Sequence, residues 1–295
     1  MKLDQSQMPI LVASLEEHFP ASLNVYHLAR NGARQSRLAW PGLEFFVDAF
    51  PNFQACICRM PNNKEAREMN LPPFLFANAV LPFSKDARKL EELLATDGIV
   101  DWSGKVGFCM VSNPDDLDVV RKVTAQHGGS LSKAPNSTGS GVIVHFDLTK
   151  IALSYSLPGE FYLDSLKTEH ADQIARDRNF NNDGLECLRY ILQVGYPSMA
   201  IFTKADGKPI AYICLRPEMK LGIGFVAEQY RARGFFKIVS YELLKKLRES
   251  GEREAYTDMS PQTKGSLHAM LGIGGTLYQG TFEWLEHIPE TVTLS

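Results

Sequence analysis

QYRARGFF, residues 229–236, separates two patterns of different period. Upstream, LGIGFVAE (221–228) is rich in β-formers and glycine. Downstream, Val239, Leu243, Leu244 and Leu247 recur at helical spacing. The pattern predicts a strand, a tight turn and an amphipathic helix. A helix start presents unpaired N–H groups and a partial positive charge, which together favour an anion. Gly234 lets backbone approach such an anion, and Arg231 and Arg233 add charge beside it. The competing reading of the same residues is a plain strand–helix junction with solvated arginines.

Working outward, the second half reads as an ordered series of elements. A strand at FYLD feeds a helix carrying Ala171, Ile174 and Ala175, and a second helix covers Leu185 to Val194. The strand MAIFTK (199–204) turns at Asp206-Gly207 into PIAYICLR (209–216), the hairpin signal being the Asp-Gly pair. After the arginine-glycine turn and its helix come a short strand at Ala255 to Asp258, a helix around Lys264 to Met270 and two closing strands near 275–285. The first half reads as a helix at Ile10 to His18, a strand at SLNVYHLA (22–29), a helix at Gly42 to Phe50 and a buried strand at FQACICRM (53–60). A surface helix at Lys85 to Ala95, a strand at VGFCMVS (106–112) and a helix at Asp115 to Gln126 follow, the last opened by Pro114 and two aspartates. HGGSLSKAPNSTGSG (127–141) reads as a loop, with a phosphate-binding glycine loop as the lesser alternative. The expected boundary lies near residue 155, giving α/β domains at 1–155 and 156–295.

Composition narrows the function classes. The 295 residues are 44% hydrophobic and 22% charged, as in globular domains. A net charge of −3 offers no global electrostatic case for nucleic acid or an anionic membrane surface. No apolar run approaches the roughly 18 residues of a membrane span. The amino terminus resembles neither a secretory signal nor an Arg-rich transit peptide, so an intracellular protein is expected. The five cysteines are scattered through apolar runs and read as buried free thiols. Cys56 and Cys58 have no second Cys/His pair nearby, so no metal is expected.

The element order of the second half, together with QYRARG, resembles the GNAT superfamily of acyl-coenzyme A-dependent N-acyltransferases. The signature of that superfamily is Arg/Gln-x-x-Gly-x-Gly/Ala, and Arg231, Gly234 and Phe236 fill its three positions. Phe236 departs from the usual small residue. Within the superfamily the chain is similar to the glycine N-acyltransferase-like family. PASLNVYHL (20–28) and LEFFVDAFPNF (43–53) resemble its amino-terminal domain. FYLDSLKTEHADQI (161–174), ECLRYILQVGYPSMAIFTKADGKPIAY (186–212) and EQYRARG (228–234) resemble its catalytic domain. The resemblance implies a GNAT fold in the carboxy-terminal domain and a degenerate relative of it in the amino-terminal one.

It also implies acyl-coenzyme A as co-substrate and a small amine as acceptor, glycine or another amino acid or an arylalkylamine. A degenerate acyl-coenzyme A-binding or interaction module is the non-enzymatic alternative, favoured by the Phe236 departure, by Pro261, which stands where many relatives carry asparagine, and by the longer spacing from Glu218 to Tyr230. Val226, Ala227, Arg231, Ala232, Arg233, Gly234, Phe235 and Phe236 are the implied cofactor-binding residues. Glu218 stands in the context of the family's glutamate base, with a solvated hairpin charge as the rival reading and Glu228 as the alternative by position. His268 falls near the position of the superfamily's tyrosine acid, and histidine is a residue type suited to protonating a leaving thiolate. A surface histidine is the bland reading. The family suggests a mitochondrial location.

Overall fold

The computed structural model describes residues 1–72, 78–134 and 140–290. The chain falls into two compact units, Met1–Gly141 with Gly280–Ser295, and Val142–Gln279. The sequence reading puts one boundary near residue 155, and the last strand lies in the first unit.

In the first unit the order is α1 (Met8–Glu16), α2 (Leu23–Ala33), β1 (Glu44–Val47), β2 (Ala55–Arg59), α3 (Asn63–Glu68), β3 (Ala79–Ser84), α4 (Ala87–Leu94), β4 (Val106–Val111), α5 (Pro114–Gln126), β5 (Gly129–Lys133) and the start of β6 (Ser140–Asp147). The second unit takes the rest of β6, then β7 (Phe161–Asp164), α6 (Ala171–Asp177), α7 (Asn182–Val194), β8 (Ser198–Thr203), β9 (Pro209–Leu215), β10 (Lys220–Val226), α8 (Phe235–Glu249), β11 (Glu254–Met259), α9 (Lys264–Leu271) and β12 (Thr276–Leu277). β13 (Phe282–Pro289) closes the chain in the first unit, paired with β4, β5 and the first residues of β6.

Two readings of the first half are corrected. Residues 23–29, expected as a strand with Ser22, belong to helix α2, which Ser22 precedes as its N-cap. Leu23, Val25, Tyr26, Leu28 and Ala29 are all buried, so the apolar positions surround the helix and hide its 3.6-residue period. Residues 44–47 form strand β1 where a helix was expected. Phe45, Phe46 and Val47 favour a pleated surface, and Glu44 lies directly across from Arg59, whose Nε donates to its carboxylate at 2.9 Å. The stretch 127–141 contains strands β5 and the start of β6 rather than an uninterrupted loop, and residues 135–139 lie outside the described residues.

Each unit builds one mixed sheet, antiparallel apart from one pair. In the first, β1, β2 and β3 run antiparallel in order, β3 and β4 are parallel, and β4 pairs antiparallel with β13. In the second, β7, β8, β9 and β10 are antiparallel neighbours, β10 and β11 are parallel, and β11 pairs antiparallel with β6. Apart from α3, the two units share the run helix, helix, three antiparallel strands, helix, parallel strand, helix. An isolated bridge between Lys2 and Phe46 stands in the first unit where β7 stands in the second. The repeat is one of topology, not of residues.

Candidate active site

The parallel pair β10–β11 is short. Its register covers only Lys220 opposite Tyr256 and Leu221 opposite Thr257, after which the two strands continue without pairing. On the other side of β10 the ladder with β9 breaks between Gly222 and Phe225. Ile223, between them, has φ +56°, a left-handed conformation that a β-branched residue adopts only under strain of about 1–3 kcal/mol. This is a β-bulge, a device that re-aims backbone and side chains beside functional sites. The glycines flanking it have specific neighbours. A Cβ on Gly222 would lie 2.6 Å from Arg216 Cδ, and one on Gly224 would lie 2.7 Å from Phe236 Cε2.

Beyond β10, the chain reaches helix α8 through the QYRARG turn. Gly234 occupies the position before the helix with φ +78°, and a Cβ built there would meet nothing within 4 Å. Among the described residues no side chain caps this helix, and its first turn carries no acidic residue. Its face toward the core carries Phe235, Ile238, Val239, Leu243, Leu244 and Leu247 at the expected spacing. The leading N–H groups of α8 therefore lack a partner within the helix, the condition for receiving an anion.

A cavity of about 610 Å³ opens at this helix start, within the size range of small-molecule sites. Of the sequence-derived candidates, Val226, Arg231, Ala232, Gly234, Phe235, Phe236 and His268 line it. Arg178, Lys237, Gly224 and Ser266 join them, and no Asp or Glu is among the described lining residues. Of the cavity's cations the sequence reading missed Lys237 and Arg178, and Arg178 is the harder to foresee. It lies just past α6, with no local motif to mark it, and its Nη1 donates to the Gly224 carbonyl at 3.2 Å. Three cations, no carboxylate and an uncapped helix suit the phosphates of a coenzyme A, and the apolar Phe and Ala surfaces suit its pantetheine arm.

The two arginines of the turn differ in placement. Arg231 lines the cavity, with its Nε 3.3 Å from the Val226 carbonyl. Arg233 turns instead into an aromatic cluster, its guanidinium 5.1 Å from the Phe235 ring centroid and 5.5 Å from that of Phe161. Ala227, like Arg233, is not among the lining residues; its N–H donates to the Ile210 carbonyl at 2.8 Å.

Glu218 is also elsewhere. It sits at the tip of the β9–β10 hairpin, which is closed by Arg216 N–H donating to the Lys220 carbonyl at 2.8 Å. The side chain is 0% exposed, and Arg216 donates to both its oxygens at 2.8 and 3.3 Å. Two residues on, Lys220 is 1% exposed and paired with Asp258 at 2.9 Å. Tyr256 O–H donates to the Glu218 backbone carbonyl at 2.9 Å. Arg216, Glu218, Lys220 and Asp258 thus form a charge-balanced quartet, two of them buried and two partly so, at the point where β10 and β11 begin to part. Burial pulls the Lys220 ammonium below its ordinary range, opposed by Asp258. Burial also opposes the charge on Arg216, but Glu218 and Asp258 outweigh it and hold the guanidinium above its ordinary value. Tyr256 is driven well above the usual phenol range by burial and by the same two carboxylates. A solvated hairpin charge is therefore not what Glu218 is.

The comparisons with known proteins agree with this architecture. The family model described as aralkyl acyl-CoA:amino acid N-acyltransferase matches residues 1–194. The human glycine N-acyltransferase-like protein 2 is 22% identical over 287 residues, covering 92% of each chain. An X-ray structure of a Drosophila protein superposes with a TM-score of 0.79 over 99% of both chains at 17% identity. The crystal structure of a GCN5-related N-acetyltransferase-like protein from Streptococcus suis matches with a TM-score of 0.52 at 12% identity, over 96% of this chain and 98% of that one. The fold is that of the GNAT acyltransferases. With two thirds of its length matched by the family model, the chain belongs to the aralkyl acyl-CoA:amino acid N-acyltransferase family.

Proposed function

We propose that the second unit transfers an acyl group from acyl-coenzyme A to the amine of a small molecule, an amino acid such as glycine being the acceptor class favoured by the family. The observation that carries this reading is the uncapped, cationic start of α8 at the head of the cavity. The leading N–H groups of α8 and the Arg231 guanidinium hold the pyrophosphate. The bulged backbone at Ile223–Gly224, released from the β9 ladder, offers amide groups to the thioester carbonyl. The neutral amine attacks that carbonyl, the C–N bond forms and the C–S bond breaks, releasing the thiolate of coenzyme A. His268, on the cavity wall, passes to that thiolate the proton that the nitrogen sheds on becoming an amide.

The incoming ammonium must lose a proton first. Glu218 takes this role in the proposal, reached by opening of the 216–220 hairpin tip or through a proton-carrying chain, because the carboxylate lies outside the cavity lining. Glu218→Gln keeps the shape of the side chain while removing the base; it leaves Arg216 one acceptor oxygen in place of two, so kcat is read on a variant shown to be folded. It should lower kcat at neutral pH by about 10²–10⁴-fold, with partial recovery as the pH rises and the free amine deprotonates itself. Turnover equal to the parent across that range would move the role to Glu228 or to water. The second reading, an acyl-coenzyme A-binding module without catalysis, is favoured by the ion pair that engages both Glu218 oxygens. A panel of acyl donors and amines, glycine and arylalkylamines included, separates the two: coenzyme A binding without turnover on any pair would support the module.

A further inference from the structure

The cavity has a floor that its family signature does not explain. Along β10 the lining comprises Gly224, Phe225 and Val226 and stops there, although the strand continues back through Ile223 to Lys220. What stands at that limit is the Phe236 ring. It comes from the first turn of α8 and lies against the bare Cα of Gly224, close enough that a Cβ would sit 2.7 Å from Cε2 and 3.2 Å from Cζ. The two residues are complementary in size: the phenyl ring occupies the room a side chain at 224 would need. Glycine at this point of a strand otherwise weakens it, so a close neighbour is the physical reason for its presence.

We propose that Phe236 and Gly224 together form a size filter for the acyl group, the ring walling off the cavity at the bulge so that short acyl chains are accepted over long ones. The inference rests on the acyl-coenzyme A reading of the cavity and deepens it. An anion held at the α8 start places the remainder of the donor along β10, toward Gly224, and the ring meets its far end. Removing the ring extends the cavity along β10. Adding a Cβ at 224 pushes the ring into the cavity instead, and removing the ring relieves that clash.

The test is equilibrium binding without an amine, using coenzyme A, acetyl-coenzyme A and octanoyl-coenzyme A as probes. Native protein, Phe236→Ala, Gly224→Ala and the double variant are compared, each acyl affinity being expressed relative to coenzyme A for the same protein. Differences in apolar pocket space of a methylene or more are typically worth about 10–200-fold. Phe236→Ala should therefore raise the octanoyl-to-acetyl ratio at least about tenfold. Gly224→Ala should weaken both acyl forms, and the double variant should recover them. Phe236→Leu, which keeps an apolar side chain against the strand, replaces Phe236→Ala if the latter fails to fold, with a shift in the same direction. An unchanged ratio in a folded variant that still binds coenzyme A overturns the filter alone. Failure of the native protein to bind coenzyme A overturns the cofactor reading and the filter with it.

Discussion

The strand–helix junctions β3–α4 and β10–α8 occupy the same place in the two topological repeats and have opposite chemistry. In both, the parallel pairing that follows spans two residue pairs, Ala79 with Gly107 and Val80 with Phe108 in the first unit, Lys220 with Tyr256 and Leu221 with Thr257 in the second. In the first unit, two residues join strand to helix, and Asp86 caps α4 with its own carboxylate, accepting from Arg88 N–H at 2.9 Å. The Asp86 carboxyl is held below its ordinary range, chiefly by that backbone hydrogen bond. In the second unit, a longer turn delivers Gly234 to an uncapped helix. One helix start supplies its own anion; the other leaves room for a foreign one.

The space between the parting strands is treated just as differently. In the first unit, Ser84 at the end of β3 donates to Asp116 on α5, and Leu90, Leu94, Val119, Val120 and Val123 pack into one apolar core. In the second, the corresponding elements β10, α8 and α9 enclose the cavity. β3 keeps a regular register with both neighbours, whereas β10 bulges at Ile223. The lesson is that the fold alone does not make the site. A bulge, an uncapped glycine turn and an unfilled wedge do.

The largest expected effect on this contrast is at the charged quartet. Asp258→Asn removes the carboxylate that lies 2.9 Å from the buried Lys220 ammonium, and breaking such a pair typically costs about 3–5 kcal/mol. Denaturant unfolding should show that loss, and Lys220→Met combined with Asp258→Leu should recover most of it. A single variant as stable as the parent would mean that ions do not hold the β10–β11 apex.

In the first unit the analogous test is pH-dependent. Burial raises the Asp116 carboxyl to about 6, so its protonated form is favoured in the folded state. The stabilisation this group contributes is complete below its unfolded value near 4 and lost as pH rises through about 6. Asp116→Asn should remove this dependence, raising stability above pH 7 by up to about 2–3 kcal/mol relative to the parent while changing little at pH 4. Parallel stability curves for the two proteins between pH 4 and 8 would contradict the assignment.

A smaller effect sharpens the contrast at the helix start. Asp86→Ala should lower the denaturation midpoint slightly, as the loss of an N-cap does. It should create no second coenzyme A site, because the first unit lacks the glycine turn and its arginine. A second equivalent of bound ligand would show that the cap alone closes that site.

Much of this was legible in the sequence where one residue face is buried. The second half, from FYLD to the α9 helix, shows clean periods because α7 and α8 each bury one stripe. The first half misled where burial surrounds an element, as in α2, or where aromatic residues leave period and propensity in conflict, as in β1. At the site, QYRARG announces the α8 turn and GFVA a strand that offers amide groups to the donor, but nothing in L-G-I-G-F announces the bulge at Ile223. The two glycines make sense only beside Arg216 and Phe236, contacts made across the fold. Glu218 was marked by local context as a candidate, yet its burial depends on Tyr256 and on a quartet completed by Asp258, about forty residues away. β13 returns to the first unit through long-range pairing with Val106–Val111 that no local pattern records.

The claim that the two junctions differ in function reduces to where coenzyme A binds. Titration calorimetry of the full chain with coenzyme A, native and Gly234→Asp, measures this directly. Asp tolerates the left-handed conformation at 234 better than most residues, and the space there is open, so the fold should persist. Its carboxylate would face the phosphates, a repulsion of about 4 kcal/mol for unit charges ~4 Å apart at an effective dielectric of about 20. The account predicts one site per chain in the native protein and a loss of at least about 100-fold in the variant. Equal affinity in a folded Gly234→Asp protein, or two equivalent sites in the native one, would contradict it.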